Sequence, residues 1–338
     1  MKHHDFRPRR GHKRGLGPDD TPADTRVWLK GKEETSVGRS VAYALATVAF
    51  IPLFSAAYCF GVYLVGAVSG STGLTAIAAA IGYMLTIVAI ARQQRAMENM
   101  VHDGAHGNWH RASKKINDRL VDAIVAVPVL SSVATYWKFH RDHHGAYGGH
   151  DDPCRRRFDA LGIYDIDLST PWKIAVAVLR WLPEYNAEYY REIGSIAGSL
   201  FARFVAWHLV VFILPFTGIA FVVLDVSGGS ALAVGFLAWI AFWMIPFTLP
   251  LPVIRSIAEA EEHDYDRADT EFDTTFTNSG FWHRVLFHPA GDAYHLIHHM
   301  YPKIPARVHG EVHRYLMAND PKYRHSLHRT RVLENVEN

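Results

Sequence analysis

Cysteine is nearly absent. Two residues, Cys59 and Cys154, in a chain of 338 give neither a disulfide framework nor a Cys-type zinc site. An excess of charge of either sign is missing too: 35 Lys and Arg against 33 Asp and Glu leave a formal +2. No basic domain stands apart from acidic ones, which argues against an electrostatic nucleic-acid binder. A strand followed by the glycine fingerprint of a nicotinamide or flavin site is also lacking. Two linkers, "SGS" at 69–71 and "DVSGGS" at 225–230, hold no Lys or Arg at all. That last absence orients everything else.

What is present is apolar length. Runs at about 41–68, 72–91, 204–224 and 231–254 are nearly free of charge. About 20 apolar residues cross a bilayer, so each run suffices. Pro52, Pro215 and Pro246 fall inside them, which membrane helices tolerate better than soluble ones. The segment 92–203 and everything after residue 254 are rich in Lys and Arg, as is the N-terminal stretch. The positive-inside rule therefore puts both termini and the long middle segment in the cytoplasm. The expected fold is all-α: an integral membrane protein with four transmembrane helices in two hairpins and a cytoplasmic helical cap. The run 120–133 holds Asp122 and Pro128 and is short, so it reads as a helix in or dipping into the interface. Residues 1–35, basic and rich in Pro and Gly, read as a disordered tail, His3, His4 and His12 included, with no signal-peptide core following. The core domain spans 36–305, and 306–338 reads as a solvated cytoplasmic C-terminal tail.

Histidine, at 21 residues, is the compositional anomaly. Three clusters fall on the cytoplasmic side: "HDGAH" (His102, His106), "HRDHH" (His140, His143, His144) and "HLIHH" (His295, His298, His299). Spacings of i, i+3 and i+4 put the rings of each cluster on one helix face. Imidazole suits zinc, iron, copper and nickel. One tetrahedral zinc takes four ligands and would leave half of these unused, so a dinuclear site fits better, in a cap above the spans. A zinc site or proton pathway is the remaining reading. After the last span "EAEEH" adds His263 as a ligand, with Glu259 four residues before it as a ligand or as the partner orienting one. Glu261 and Glu262 read as solvated. His110 continues the first cluster's i+4 series, although Gly104 and Gly107 weaken a helix there. Asp151 and Asp152 are placed to accept bonds from ligand imidazoles, or to begin a turn before Pro153. His208, alone in the third run, reads as packed, and His283 and His288 are ambiguous.

The ordered set HxxxH, HxxHH and HxxHH, with paired spans between the second and third boxes, resembles the membrane fatty acid desaturase and hydroxylase family. The resemblance covers about residues 37–305, and "YP" at Tyr301–Pro302 is similar to that family's usual ending of the third box. It implies that His102, His106, His140, His143, His144, His295, His298 and His299 hold two Fe2+ ions that activate O2. In the stearoyl-coenzyme A branch an Asn stands four residues before a His after the last span; here Glu259 stands in its place. The short first box is closer to the acyl-lipid and small-substrate branches. The implied reaction is desaturation of an acyl chain in a membrane lipid or thioester, held in a greasy tunnel. The alternatives are a hydroxylase or N-oxygenase, or a desaturase of a small amino-acid-like substrate. Electrons would come from an external ferredoxin or small haem cytochrome with its reductase, since "HPAG" at His288 is not the haem-binding HPGG. The patch "CRRRF", Arg155 to Arg157, would dock that donor or meet anionic headgroups. A metal transporter, the rival of another class, would need ionisable ligands facing each other at mid-membrane, where only His208 stands.

Overall fold

The computed structural model describes residues 22–163, 170–193, 198–267 and 270–333. Helices α1 (Ala23–Gly31), α2 (Val37–Ser69) and α3 (Thr72–Ala105) come first. Gly70 and Ser71 turn α2 into α3, and Ser71 caps α3 by accepting from the Leu74 N–H. Both helices wear their apolar residues outward, among them Phe60, Tyr63, Ile81 and Leu85. The face α2 turns inward is Ser40, Ala44, Thr47, Ile51 and Ser55, mostly small residues at helical spacing, as close packing in lipid favours. At 34 residues α3 is about 50 Å long, against roughly 30 Å of hydrocarbon. Its C-terminal turns, where Gln93, Gln94, Arg95, Glu98, Asn99 and His102 are buried, therefore project past the apolar stretch into the cap.

Helix α4 (Lys114–Val121) continues as a π segment and a 3-10 turn to Val129. The chain then bends by 88° into α5 (Val133–Ala146), a broken path that fits a helix dipping into the interface. Helices α6 (Pro153–Leu161) and α7 (Pro171–Ile193) complete this part of the cap. The second hairpin pairs α8 (Gly198–His208) and α9 (Leu214–Val223) with α10 (Gly228–Trp239), α11 (Ile245–Thr248) and α12 (Pro250–Ala260). Among the described residues four apolar helical stretches are thus long enough to cross a membrane: Val37–Ser69, Thr72–Ala105, Ser199–Val223 and Gly228–Ala260. The last two approach closely at Gly235, where a Cβ would lie 2.2 Å from Thr217 Oγ1. Each of four π segments ends two residues before a proline: Asp122–Ala126 before Pro128, Leu209–Ile213 before Pro215, Ile240–Met244 before Pro246, His283–Phe287 before Pro289. The proline ring clashes with the carbonyl four residues back, and the widened turn accommodates it.

After α12 come α13 (Glu271–Thr274), the short strand β1 (Thr277–Asn278), α14 (His295–Met300), α15 (His309–Asn319), α16 (Pro321–Arg324) and β2 (His328–Arg329). β2 pairs in parallel with β1. Both expected tails need correction. Residues 1–21 lie outside the described residues, but Ala23–Gly31 is a helix with Leu29 buried. The C-terminal stretch is packed rather than solvated: Val312 and Leu316 of α15 bury against Leu296, Ile297 and Met300 of α14.

Candidate metal centre

Nine histidines from four places in the sequence converge at the top of α3. They sort into two groups, and the second and third boxes are each divided between them. In the first group His102 Nε2 lies 2.7 Å from His298 Nε2 and 3.0 Å from His140 Nε2. His140 Nε2 also lies 2.8 Å from His106 Nε2 and 3.0 Å from His144 Nε2. In the second group His295 Nε2 is 3.2 Å from His263 Nε2 and 3.1 Å from His299 Nε2, and His143 joins His263 and His299. A face of α5 thus sends His140 and His144 to one group and His143 to the other. α14 likewise splits His298 from His295 and His299.

Gly104, inside the first box, is explained by packing. A Cβ there would sit 2.5 Å from Val121, and its carbonyl accepts from Asn117 Nδ2 at 2.7 Å, docking α4 against α3. His110 is not an extension of that box. The helix ends at Ala105, Gly107 turns the chain at φ 73°, and the His110 backbone N–H donates to Asn117 Oδ1.

The outer nitrogens are held by acids that the sequence reading largely missed. Asp292 Oδ1 lies 3.3 Å from His102 Nδ1. Glu271 Oε1 lies 2.6 Å from His299 Nδ1 and 3.7 Å from His144 Nδ1. Asp152 Oδ1 lies 2.9 Å from His143 Nδ1, and the same carboxylate caps α6 by accepting from the Cys154 N–H. The expectation for Asp151 is therefore corrected by one residue: Asp151 is exposed, and Asp152 is fully buried. Tyr147 Oη reaches His263 Nδ1 at 2.9 Å. An ionised carboxylate only accepts, so His102, His143 and His299 each carry a proton on Nδ1 and turn Nε2 inward.

Glu259 also needs correction. Its carboxylate receives a hydrogen bond from Arg157 Nη1 at 2.8 Å. The acid beside the second group is Glu262, whose Oε2 lies 3.7 Å from His295 Nε2. Burial and the nearby Asp292 push its carboxyl up to about 8, although Arg95 Nη2, 3.6 Å from its Oε1, pulls the other way. Glu261 is not solvated either: fully buried, its Oε1 lies 3.1 Å from His283 Nε2, and its Oε2 lies 3.6 Å from His288 Nε2. Burial opposes its charge, but those two rings outweigh it and hold the acid down to about 2. His288 rises to about 9, because Asp292 and Glu261 overcome its burial. His208 is packed at depth among Trp207, Trp239 and Trp243, its Nδ1 2.8 Å from the Phe204 carbonyl. Of the "CRRRF" patch only Arg156 is exposed; Arg157 is buried and Arg155 pairs with Asp266.

The donor set fits metal. Burial, and then the neighbouring rings, hold His140, His298, His263, His295 and His299 well below the usual imidazole range, and His106 down to about 2. Those rings are neutral and offer lone pairs. His143 alone goes up, because Asp152 and Cys154 outweigh its burial. Inward nitrogens about 3 Å apart are the spacing of ligands that share one metal at roughly 2.0–2.1 Å. The two groups can each hold an ion.

Beside them lies a cavity of about 120 Å³. His102, His140, His143, His263 and His295 form one wall, and Arg95, Arg157, Arg255, Glu98, Glu259 and Glu262 contribute others. Arg255 grips Glu98 through Nε at 3.1 Å and Nη2 at 2.5 Å. Arg95 bridges Glu98 to Asp292 at 3.5 and 3.3 Å, so an ion-pair chain runs from Arg255 to His102.

The family model described as Fatty acid desaturase matches residues 74–331. A dihydrorhizobitoxine desaturase of Bradyrhizobium elkanii is 23% identical over 252 residues, covering 71% of this chain and 69% of that protein.

Proposed function

Because the chain belongs to the fatty acid desaturase family, we propose that it is a membrane-bound, non-haem di-iron oxidoreductase that uses dioxygen to desaturate its substrate. The observation that carries this reading is the sorting of nine imidazoles into two inward-facing groups, each backed by carboxylates. When bound, two irons supply the activation of dioxygen that breaks an unactivated C–H bond. The chain's own residues do the rest. Asp152, Asp292 and Glu271 keep the Nδ1 protons of His143, His102 and His299 in place, which fixes ring orientation and tautomer. Burial of these rings keeps bulk water from the reacting carbons.

Introducing one double bond consumes one dioxygen, two substrate hydrogens, two further electrons and two further protons, and yields two waters. The electrons come from an external ferredoxin or small haem cytochrome with its reductase, in keeping with a sequence that has no nucleotide fingerprint. Both termini and the histidine groups face the cytoplasm in this reading, because the linkers 69–71 and 225–230 carry no Lys or Arg. An acyl-chain substrate would need a long apolar channel to the histidines, whereas a small amino-acid-like one would need a compact polar chamber. Hydroxylation uses the same site and differs in the fate of the second hydrogen.

The test is direct. Purified protein is expected to hold about two irons per chain and to consume oxygen only with added reductant. Mass spectrometry of the product is expected to show loss of two hydrogens; gain of one oxygen would identify the hydroxylase instead. Bound zinc without oxygen uptake would refute both.

A further inference from the structure

The cavity beside the histidine groups has an unusual lining for a family named after fatty acids. Its volume of about 120 Å³ is below the roughly 300–1,000 Å³ of pockets that enclose drug-sized ligands. It is nonetheless far more than one water needs, roughly 10–15 Å³ on a comparable measure. Three arginines and four carboxyls, Glu98, Glu259, Glu262 and Asp292, line it. Desolvating charge around a hydrocarbon chain is costly and gains nothing.

Arg255 is incompletely satisfied. It is 1% exposed, and its Nη1 has no hydrogen-bond partner. The rest of the group is fixed: Nε and Nη2 are taken by Glu98, and the guanidinium carbon lies 3.6 Å from the centre of the Tyr189 ring. A buried, charged donor left unpaired costs more than an ordinary hydrogen bond gains. An anionic oxygen entering the cavity would remove that cost. Val101, Phe139 and Phe158 add apolar surface to the same lining, enough for a few carbons.

We propose that this cavity is the substrate chamber and that it takes a small substrate bearing a carboxylate, which accepts a hydrogen bond from Arg255 Nη1 and leaves its carbons toward the His140, His143, His263 and His295 wall. The assignment rests on the desaturase reading for its chemistry and adds the class of substrate and the residue that selects it.

The experiment uses the full-length, iron-loaded protein in detergent and four probes: hexanoate, norleucine, methyl hexanoate and palmitate. Titration calorimetry is expected to detect hexanoate or norleucine, with methyl hexanoate at least about tenfold weaker and palmitate weaker still. Arg255→Lys keeps a cation for Glu98 but removes Nη1. It is expected to weaken the binding of hexanoate and norleucine by about tenfold while leaving iron per chain unchanged. If that variant does not fold, the acid-against-ester comparison on the unaltered chain decides. Equal affinity for acid and ester, tighter binding of palmitate, binding of none of the four, or a folded Lys variant with unchanged affinity would each overturn the proposal. Oxygen-dependent turnover of palmitate would do so while leaving the desaturase reading intact. Absence of iron and of oxygen uptake would instead remove that reading, whatever the acids bind.

Discussion

Two neighbouring aspartates show what a residue-level reading can and cannot reach. Both Asp151 and Asp152 precede Pro153, and either could serve a ligand imidazole by position alone. The structure selects Asp152, which caps α6 with Pro153 at the first helical position and also receives the Gly148 N–H at 2.8 Å. That choice was available in the sequence, since Asp directly before Pro is a strong N-cap signal. Glu271 and Asp292 were not available in that way, because 28 and 190 residues separate them from the rings they hold. The acids of "EAEEH" were placed wrongly because a helix end leaving a membrane commonly carries solvated charge. Here α12 ends inside the cap, so Glu261 is buried and Glu262 half-buried. The expected consequence is asymmetric. Asp152→Asn should lower iron affinity about 10–100-fold, by loosening His143, while Asp151→Asn leaves it unchanged. Iron retained per chain against increasing chelator measures both.

At the scale of elements, the apolar runs located all four candidate spans but not where their helices stop. α3 runs on from Ala91 to Ala105 through a polar sequence that only buried partners stabilise, such as Gln94 donating to the Trp243 carbonyl at 3.0 Å. Hydropathy cannot register such a continuation, and it is the part that carries His102. Gly104 reads in sequence as a weak point of that helix, yet in the fold it is a contact surface for Val121. Gly104→Ala should therefore destabilise the protein by about 1–3 kcal/mol despite Ala's better helix propensity. Adding Val121→Ala makes room for the new methyl, so the double variant should lose less than the two single losses together. Thermal unfolding in detergent of the two single variants and the double variant gives the coupling. Strict additivity would mean that the contact does not matter.

At the scale of the molecule, α1 and α15, far apart in sequence, close together over the third box. Val308, Val312 and Leu316 recur every four residues, an apolar stripe visible in the sequence but masked by the charged residues between them. With Leu29 of α1 they cover Leu296, Ile297 and Met300, so the apolar side of "HLIHHM" is sealed by α1 and α15. Trp28 stacks on Tyr315 with ring centres 3.7 Å apart, and Lys32 meets Glu311 at 2.6 Å. Arg329, in β2, donates to the Glu261 carbonyl at 3.1 Å, which ties the C-terminal strand to the acid between His283 and His288. α14 has only six residues, too few to hold a helix without this cover. His295 and His299 belong to one histidine group and His298 to the other, so unsettling α14 should loosen both at once. Leu316→Ala is expected to cost about 2–5 kcal/mol and to speed iron loss to a chelator from both groups together. Removing residues 306–338 should go further and yield a membrane-inserted protein that retains little iron. Full iron in the truncated protein would show instead that α14 is held by the spans alone.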